Sequence, residues 1–182
     1  MTRHPHHAVP SRAHAVHAGF SLVELMIAVA IIGVLASIAM PLFAQYQLRS
    51  KSTEVKANLS AIRVAEEAVF GESGTYLGAA AEPPTIPGPT AASFDGVGSE
   101  FAELGWTPEG KVYFSYAIEV SADATGYTAD AGADIDDDGI LQIWGYAKPD
   151  ALGARVAGGI GCDVTLLDPE VVGSCVASRS IY

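Results

Sequence analysis

The hydrophobic pattern of the chain changes within its first third. From Leu25 to Leu48 no residue carries a formal charge, and Leu, Ile, Val, Ala and Met predominate. A helix needs about 20 such residues to cross a bilayer. A cleaved secretory signal has a shorter apolar stretch that precedes its cleavage site. The stretch therefore predicts an apolar helix that spans a membrane and stays in the mature protein.

After Leu48 the pattern becomes amphipathic and the helical periodicity continues. Apolar residues recur at intervals of about one or two helical turns, while charged residues occupy the other faces. We therefore expect one helix from about Phe20 to about Phe70, ending at Gly71 and Gly74. Its predicted apolar stripe comprises Leu48, Val55, Leu59, Ile62, Ala65 and Val69.

Two residues weaken the predicted helix. Pro41 has no N–H to donate and its ring clashes with the preceding turn, which predicts a kink or local melting. Gly33 is a second weak point. Both residue types are also tolerated in membrane helices, so an unbroken helix stays open as an alternative.

The second half of the chain has the signals of a small sheet. Four prolines between Glu82 and Pro89 predict an extended connector. Aromatic and β-branched residues then predict strands at Lys111–Val120, Tyr127–Ala131 and Ile140–Ala147, with a fourth at Val164–Leu167. Short strands at such spacing predict an antiparallel meander that packs on the helix stripe. The fold class is thus α+β.

Charge and composition exclude several functions. Ten basic and 21 acidic residues give a net charge of −11, which disfavours nucleic-acid binding by charge attraction. All five histidines lie in the first 18 residues, so a chain that begins after Gly19 has none and carries a charge of −13. Nucleophile–base pairs, phosphate loops and zinc spacings are not recognisable in the sequence. We therefore expect no enzymatic activity.

The two cysteines predict a local crosslink. Cys162 and Cys175 are the only cysteines of the chain. In an exported protein, such a closely spaced pair indicates one disulfide. Two buried free thiols are the alternative.

One acidic segment has the spacing of a cation site. Asp134, Asp136 and Asp138, followed by Gly139, fit the opening of a calcium loop with alternating oxygen ligands. The position of the usual acidic twelfth ligand is Gly145, and a carboxylate such as Asp150, backbone carbonyls or water would have to replace it. The alternative is an acidic β-turn between two strands.

The N-terminal region resembles a known family. The residues Gly19-Phe20-Ser21-Leu22-Val23-Glu24-Leu25-Met26-Ile27-Ala28-Val29-Ala30-Ile31-Ile32-Gly33-Val34-Leu35-Ala36, followed by Pro41, are similar to the signature of type IV prepilins and type II secretion pseudopilins. This resemblance implies that a membrane peptidase cleaves after Gly19 and methylates the new amine of Phe20. It assigns Glu24 to docking on the amine of Phe20 in another subunit. Physics alone also allows Glu24 to reach the headgroups at the membrane surface.

The resemblance implies a pilin fold: one long N-terminal helix, half transmembrane and half amphipathic, packed on a small antiparallel sheet. The segment between Gly33 and Pro41 would melt inside the filament, and the charged residues at 49–59 would be either solvated or paired between subunits. The expected organisation is a leader at 1–19, a filament-core helix at 20–48, its amphipathic continuation at 49–71, a variable connector at 72–110, and the sheet region with its disulfide loop at 111–182.

The function that the resemblance implies is that of a structural subunit. A type IV pilin is held in the bacterial inner membrane and then polymerised with copies of itself into a surface filament for adhesion and twitching motility. Its partners would be the prepilin peptidase and the assembly platform with its ATPases, and calcium is the one cofactor considered. A type II secretion pseudopilin and a minor pilin are alternatives, and a signal-anchored periplasmic binding module is a third class.

Overall fold

The computed structural model describes residues 19–176, so the predicted leader lies outside the described residues except for Gly19. The chain divides at Pro41 into two compact units, one ending there and one beginning at Leu42. One helix, α1, contributes to both units.

Helix α1 comprises Leu22–Ser73, close to the predicted range. It ends where the sequence predicts. Gly74 adopts a φ of 76°, and its N–H donates to the carbonyl of Phe70 at 2.8 Å. This left-handed conformation costs glycine little, which makes glycine the common residue after a helix.

The second unit contains a five-stranded antiparallel sheet. The strand order is β1-β4-β5-β6-β7, and every neighbouring pair is antiparallel. A separate two-stranded sheet pairs β2 with β3, and a short helix, α2, lies between these two strands in the chain. The bounds are β1 Ala79–Glu82, β2 Ala92–Ser93, α2 Phe101–Leu104, β3 Lys111–Val112, β4 Ser115–Val120, β5 Tyr127–Ala133, β6 Gln142–Lys148 and β7 Gly173–Ser174.

The structure confirms the α+β class and corrects several element predictions. The first predicted strand is divided into β3 and β4. The fourth predicted strand is wrong: Val164–Leu166 forms a 3₁₀ turn, because the side chain of Asp163 accepts the N–H of Thr165 and caps it. The edge strand β1 lies in a segment predicted as connector.

The core of the second unit forms between the amphipathic part of α1 and the sheet. Val55, Leu59 and Ile62 are fully buried there, as the stripe predicts, together with the rings of Tyr116 and Tyr127. Burying a side chain of this size stabilises the fold by about 1.5–3 kcal/mol. Packing on the sheet therefore provides much of the stability of this part of α1.

Polar side chains fix how α1 meets the sheet. The carboxylate of Glu54 accepts the N–H of Tyr113 at 3.1 Å and the hydroxyl of Tyr116 at 2.9 Å. The side-chain amide of Asn58 donates to the same Tyr116 oxygen at 2.8 Å. These bonds are directional, so they restrict sliding of the helix along the sheet.

Three cations of α1 lie over aromatic rings of the sheet region. A cation at this distance is attracted to the negative face of the ring while its charge stays near solvent. This arrangement favours the alternative in which these positive charges are solvated over the one in which they pair between subunits. The pairs are Lys51 with Tyr113 at 5.0 Å, Lys56 with Trp144 at 4.6 Å and Arg63 with Tyr146 at 5.3 Å.

We expect Glu54→Ala to destabilise the second unit by about 1–3 kcal/mol, because a buried hydroxyl and a backbone N–H lose their acceptor. Chemical denaturation of the detergent-solubilised chain, followed by circular dichroism, measures this. Glu72→Ala is the matched control, since Glu72 is an exposed carboxylate of the same helix. Equal stability of the two variants would contradict the anchoring role of Glu54.

Candidate functional site

The start of α1 forms a reciprocal capping box. The backbone N–H and the hydroxyl of Ser21 both donate to Oε2 of Glu24 at 2.9 Å, and the N–H of Glu24 donates to the Ser21 oxygen at 3.2 Å. This pairing fixes the first residue of the helix. It also places the Glu24 carboxylate four residues after Phe20, which is 87% exposed. Oε1 of Glu24 makes no hydrogen bond to any residue in 19–176 and is available to a cation.

The apolar part of α1 is not covered by the other residues described in the first unit, which are 19–41. In the 18-residue stretch of α1 that is apolar enough to cross a membrane, no residue is buried. The large exposed side chains there are Leu, Ile, Val and Met, groups of the kind that water disfavours strongly. By length and composition, this part of α1 could cross a membrane.

The two predicted weak points lie inside α1. The helix is continuous through Gly33 and Pro41, and a Cβ atom added at Gly33 would meet nothing within 4 Å. The hydroxyl of Ser37, between them, donates to the carbonyl of Val34 at 2.7 Å. Melting between Gly33 and Pro41 concerns the assembled filament and stays a prediction.

The acidic segment folds as a turn between β5 and β6. Asp134 accepts the N–H groups of Asp138 and Gly139, and Asp138 accepts the N–H of Ile140. These bonds, and the φ of 79° at Gly139, are those of an Asp- and Gly-rich turn.

The same turn brings three carboxylates together. One oxygen each from Asp134, Asp136 and Asp138 lies within 4.8 Å of the others. Oδ1 of Asp136 is buried and has no hydrogen-bond partner within the described part of the chain. The donor set therefore fits a hard cation such as calcium, although the hydrogen bonds of the turn account for Asp134 and Asp138 without one.

A disulfide closes the C-terminal loop of the second unit. The sulfurs of Cys162 and Cys175 are bonded to each other, as the spacing predicts. They lie directly over Gly145 of β6, where a Cβ atom would be 2.6 Å from Sγ of Cys162. Gly145 therefore provides the space into which the disulfide packs.

A buried carboxylate organises the same loop, and the sequence analysis missed it. Oδ2 of Asp130 accepts the N–H groups of Ile160, Gly161 and Cys162 at 2.9–3.1 Å. Burial raises the pKa of Asp130 to about 6, although these N–H groups favour the ionised form. An acidic residue in a strand gives no sequence signal that separates this role from surface exposure.

Comparison with known proteins places the N-terminal region in a described family. The prokaryotic N-terminal methylation motif matches residues 15–40. The type IV major pilin protein PilA of Myxococcus xanthus is 37% identical over 113 residues, which are 62% of this chain and 41% of that protein. The type IV major alpha-pilin of Moraxella bovis is 33% identical over 115 residues, 63% of each chain.

Shorter matches extend the comparison to minor subunits. A probable minor fimbrial protein of Dichelobacter nodosus is 45% identical over 60 residues, 33% of this chain and 38% of that protein. The chain thus spans less than two thirds of the length of these relatives. No solved structure matches the chain.

We expect Gly145→Ala to destabilise the second unit by about 1–3 kcal/mol, because the added methyl group forces the disulfide away from the sheet. Thermal denaturation under non-reducing conditions measures the effect. Gly71→Ala is the matched control: it lies in α1 with nothing within 4 Å of the added atom, so it should be neutral or slightly stabilising. A tolerated Gly145→Ala would rule out this packing constraint.

Calcium binding at the acidic turn remains a prediction. If the three carboxylates bind calcium, the ion should raise the melting temperature and a chelator should reverse the rise. Asp134→Asn should remove this response, whereas Asp123→Asn, in the turn between β4 and β5, should retain it. If calorimetry shows no heat of binding and the melting temperature does not change, the segment is an acidic turn that does not bind calcium.

Proposed function

Because the chain belongs to the type IV pilin family, we propose that it is the structural subunit of a type IV pilus. The observation that carries the proposal is the exposed apolar surface of α1, which begins directly after the motif of Gly19, Phe20 and Glu24. The relatives above are named for pili and fimbriae and not for a reaction. The proposed role is therefore mechanical and involves no catalysis by this chain.

The proposed pathway begins in the bacterial inner membrane. The apolar part of α1 lies in the bilayer, and the prepilin peptidase cleaves after Gly19 and methylates the amine of Phe20. Gly19 and Phe20 are exposed and precede the first residue of the helix, which supports access to this bond. The assembly platform and its ATPases then transfer the subunit into the filament.

Assembly exchanges one apolar environment for another. Each α1 leaves lipid contact and packs against the helices of other copies, so the large hydrophobic penalty of exposure to water is avoided. Small residues, such as Gly33 and Ala36, permit close approach of helices in this environment. The product is a homopolymeric filament on the cell surface, with adhesion and twitching motility as its uses.

Glu24 provides the polar contact of this assembly. An ionised carboxylate in an apolar environment costs a few kcal/mol unless it has a partner. Oε2 is already bonded to Ser21 of the same chain, whereas Oε1 is available for the Phe20 amine of another subunit. One carboxylate thus serves the start of its own helix and the docking of the next subunit.

A minor pilin and a type II secretion pseudopilin are the competing functions. The acidic turn favours the pseudopilin, since calcium is expected in that class, while the connector and the disulfide favour a pilin. Electron microscopy and mass spectrometry of filaments sheared from native cells separate these functions. A major pilin would dominate the filaments and begin at N-methylated Phe20. A scarce chain that is processed in the membrane would instead indicate a minor pilin or pseudopilin.

We expect Glu24→Gln to block filament assembly while cleavage after Gly19 continues. Glutamine retains the side-chain oxygen that accepts from Ser21, so the capping box persists while the charge is lost. Glu72→Gln, another exposed carboxylate of α1, should assemble normally. Sheared filaments are quantified by immunoblotting, and the N-terminus is read by mass spectrometry. Normal filament yield from Glu24→Gln would disprove charge-based docking.

A further inference from the structure

One carboxyl group of α1 is buried and forms no ion pair with any residue in 19–176. Glu66 has no exposed surface, unlike its neighbour Glu67. Its Oε2 accepts the N–H of Leu77 at 3.1 Å. Its Oε1 is buried and has no hydrogen-bond partner among residues 19–176. Neither of the two ion pairs in this region involves Glu66.

The bond from Glu66 to Leu77 closes the exposed loop that follows α1. The two residues are 11 positions apart, and residues 71–75 between them are all exposed. The ring of Tyr76 stacks on Phe70 at 4.4 Å and packs against Tyr127 at 4.6 Å. Glu66 and Tyr76 thus hold the end of the helix to the returning chain, which continues into β1.

The groups around Glu66 do not neutralise its charge. Lys148 bonds to Glu67 at 3.4 Å and to Glu170 at 2.7 Å, so this cation is already shared by two carboxylates. The titratable and charged groups that line the region are Arg63 and Glu67 from α1, Tyr76 from the returning chain, Tyr127 from β5, Tyr146 and Lys148 from β6, and Glu170 from the C-terminal loop.

Burial is the main influence on this carboxyl group. It raises the pKa of Glu66 to about 7, and the negative charge of Glu67 acts in the same direction. The N–H of Leu77 favours the ionised form but is outweighed. The stability that neutral Glu66 provides is therefore complete below the unfolded pKa of 4.5 and is lost as the pH rises through about 7.

We propose that Glu66 is a proton-operated clasp between the end of α1 and the segment that returns to the sheet. The neutral carboxyl group is accommodated in its buried position and keeps the returning chain closed. The ionised group gains hydration when the loop opens, so deprotonation favours the open state. The clasp makes local order at residues 70–77 depend on pH, and it acts independently of filament assembly.

Amide hydrogen exchange of the full chain in detergent micelles tests the clasp, after correction for intrinsic exchange rates. We expect protection at Leu77 to fall at least about tenfold between about pH 5.5 and about pH 8.5, since opening returns the carboxyl group toward its ordinary pKa. The measurement must be local because the pKa of Asp130 is also raised, so that global stability would depend on pH through that residue as well.

Two variants complete the test. Glu66→Gln should make protection at Leu77 independent of pH, whereas Glu72→Gln should behave as the unaltered chain. If Glu66→Gln does not fold, Glu66→Leu removes the same charge. Protection that is independent of pH in the unaltered chain, or equally pH-dependent without Glu66, would overturn the proposal.

Discussion

The apolar surface at the start of α1 is the constraint from which the rest of the protein follows. From Leu22 to Met40 this helix presents large apolar groups to its surroundings, and none of the residues described in the first unit, 19–41, buries them. Water disfavours such a surface strongly. The chain therefore needs an apolar environment at each stage, which a bilayer and a bundle of identical helices both provide. In the proposed function these are successive environments of the same residues.

In the second unit the same helix is amphipathic and packs on the sheet. There α1 buries one stripe, and Glu54, Asn58 and Glu66 beside it bond to the sheet region or the returning chain. Its cations use aromatic rings as partners and leave their charges near solvent. Apolar packing provides the stability, while these directional contacts select one alignment of helix and sheet.

The features that local patterns encode could be predicted from the sequence. The long helix has a strong periodicity and a glycine at its end, and the disulfide follows from two closely spaced cysteines. The central strands β5 and β6 also carry a clear signal. The strands β1 and β7 carry almost no such signal. β1 is three alanines followed by Glu82, and β7 is Gly173 and Ser174, and such short segments become strands only by pairing with a neighbour.

The burial of two carboxyl groups is the main feature that the sequence analysis did not predict. Glu66 and Asp130 are acidic residues that a pattern assigns to the surface, whereas the fold surrounds both with apolar groups and backbone N–H donors. Asp134, Asp136 and Asp138 could be grouped from their spacing alone, since a short turn brings close neighbours together. Contacts between distant segments have no such local signature.

The distribution of charge limits which contacts can hold a filament of this chain together. A chain that begins at Phe20 carries a net charge of −13, so identical subunits repel one another. At physiological ionic strength this repulsion is screened over about 8 Å, which weakens it between exposed loops. Exposed acidic side chains therefore add little attraction between copies. In the proposed function, helix packing therefore supplies most of the cohesion. The proposed pairing of Glu24 with a Phe20 amine would give that packing a defined register, because a carboxylate among apolar helices is unfavourable without a partner.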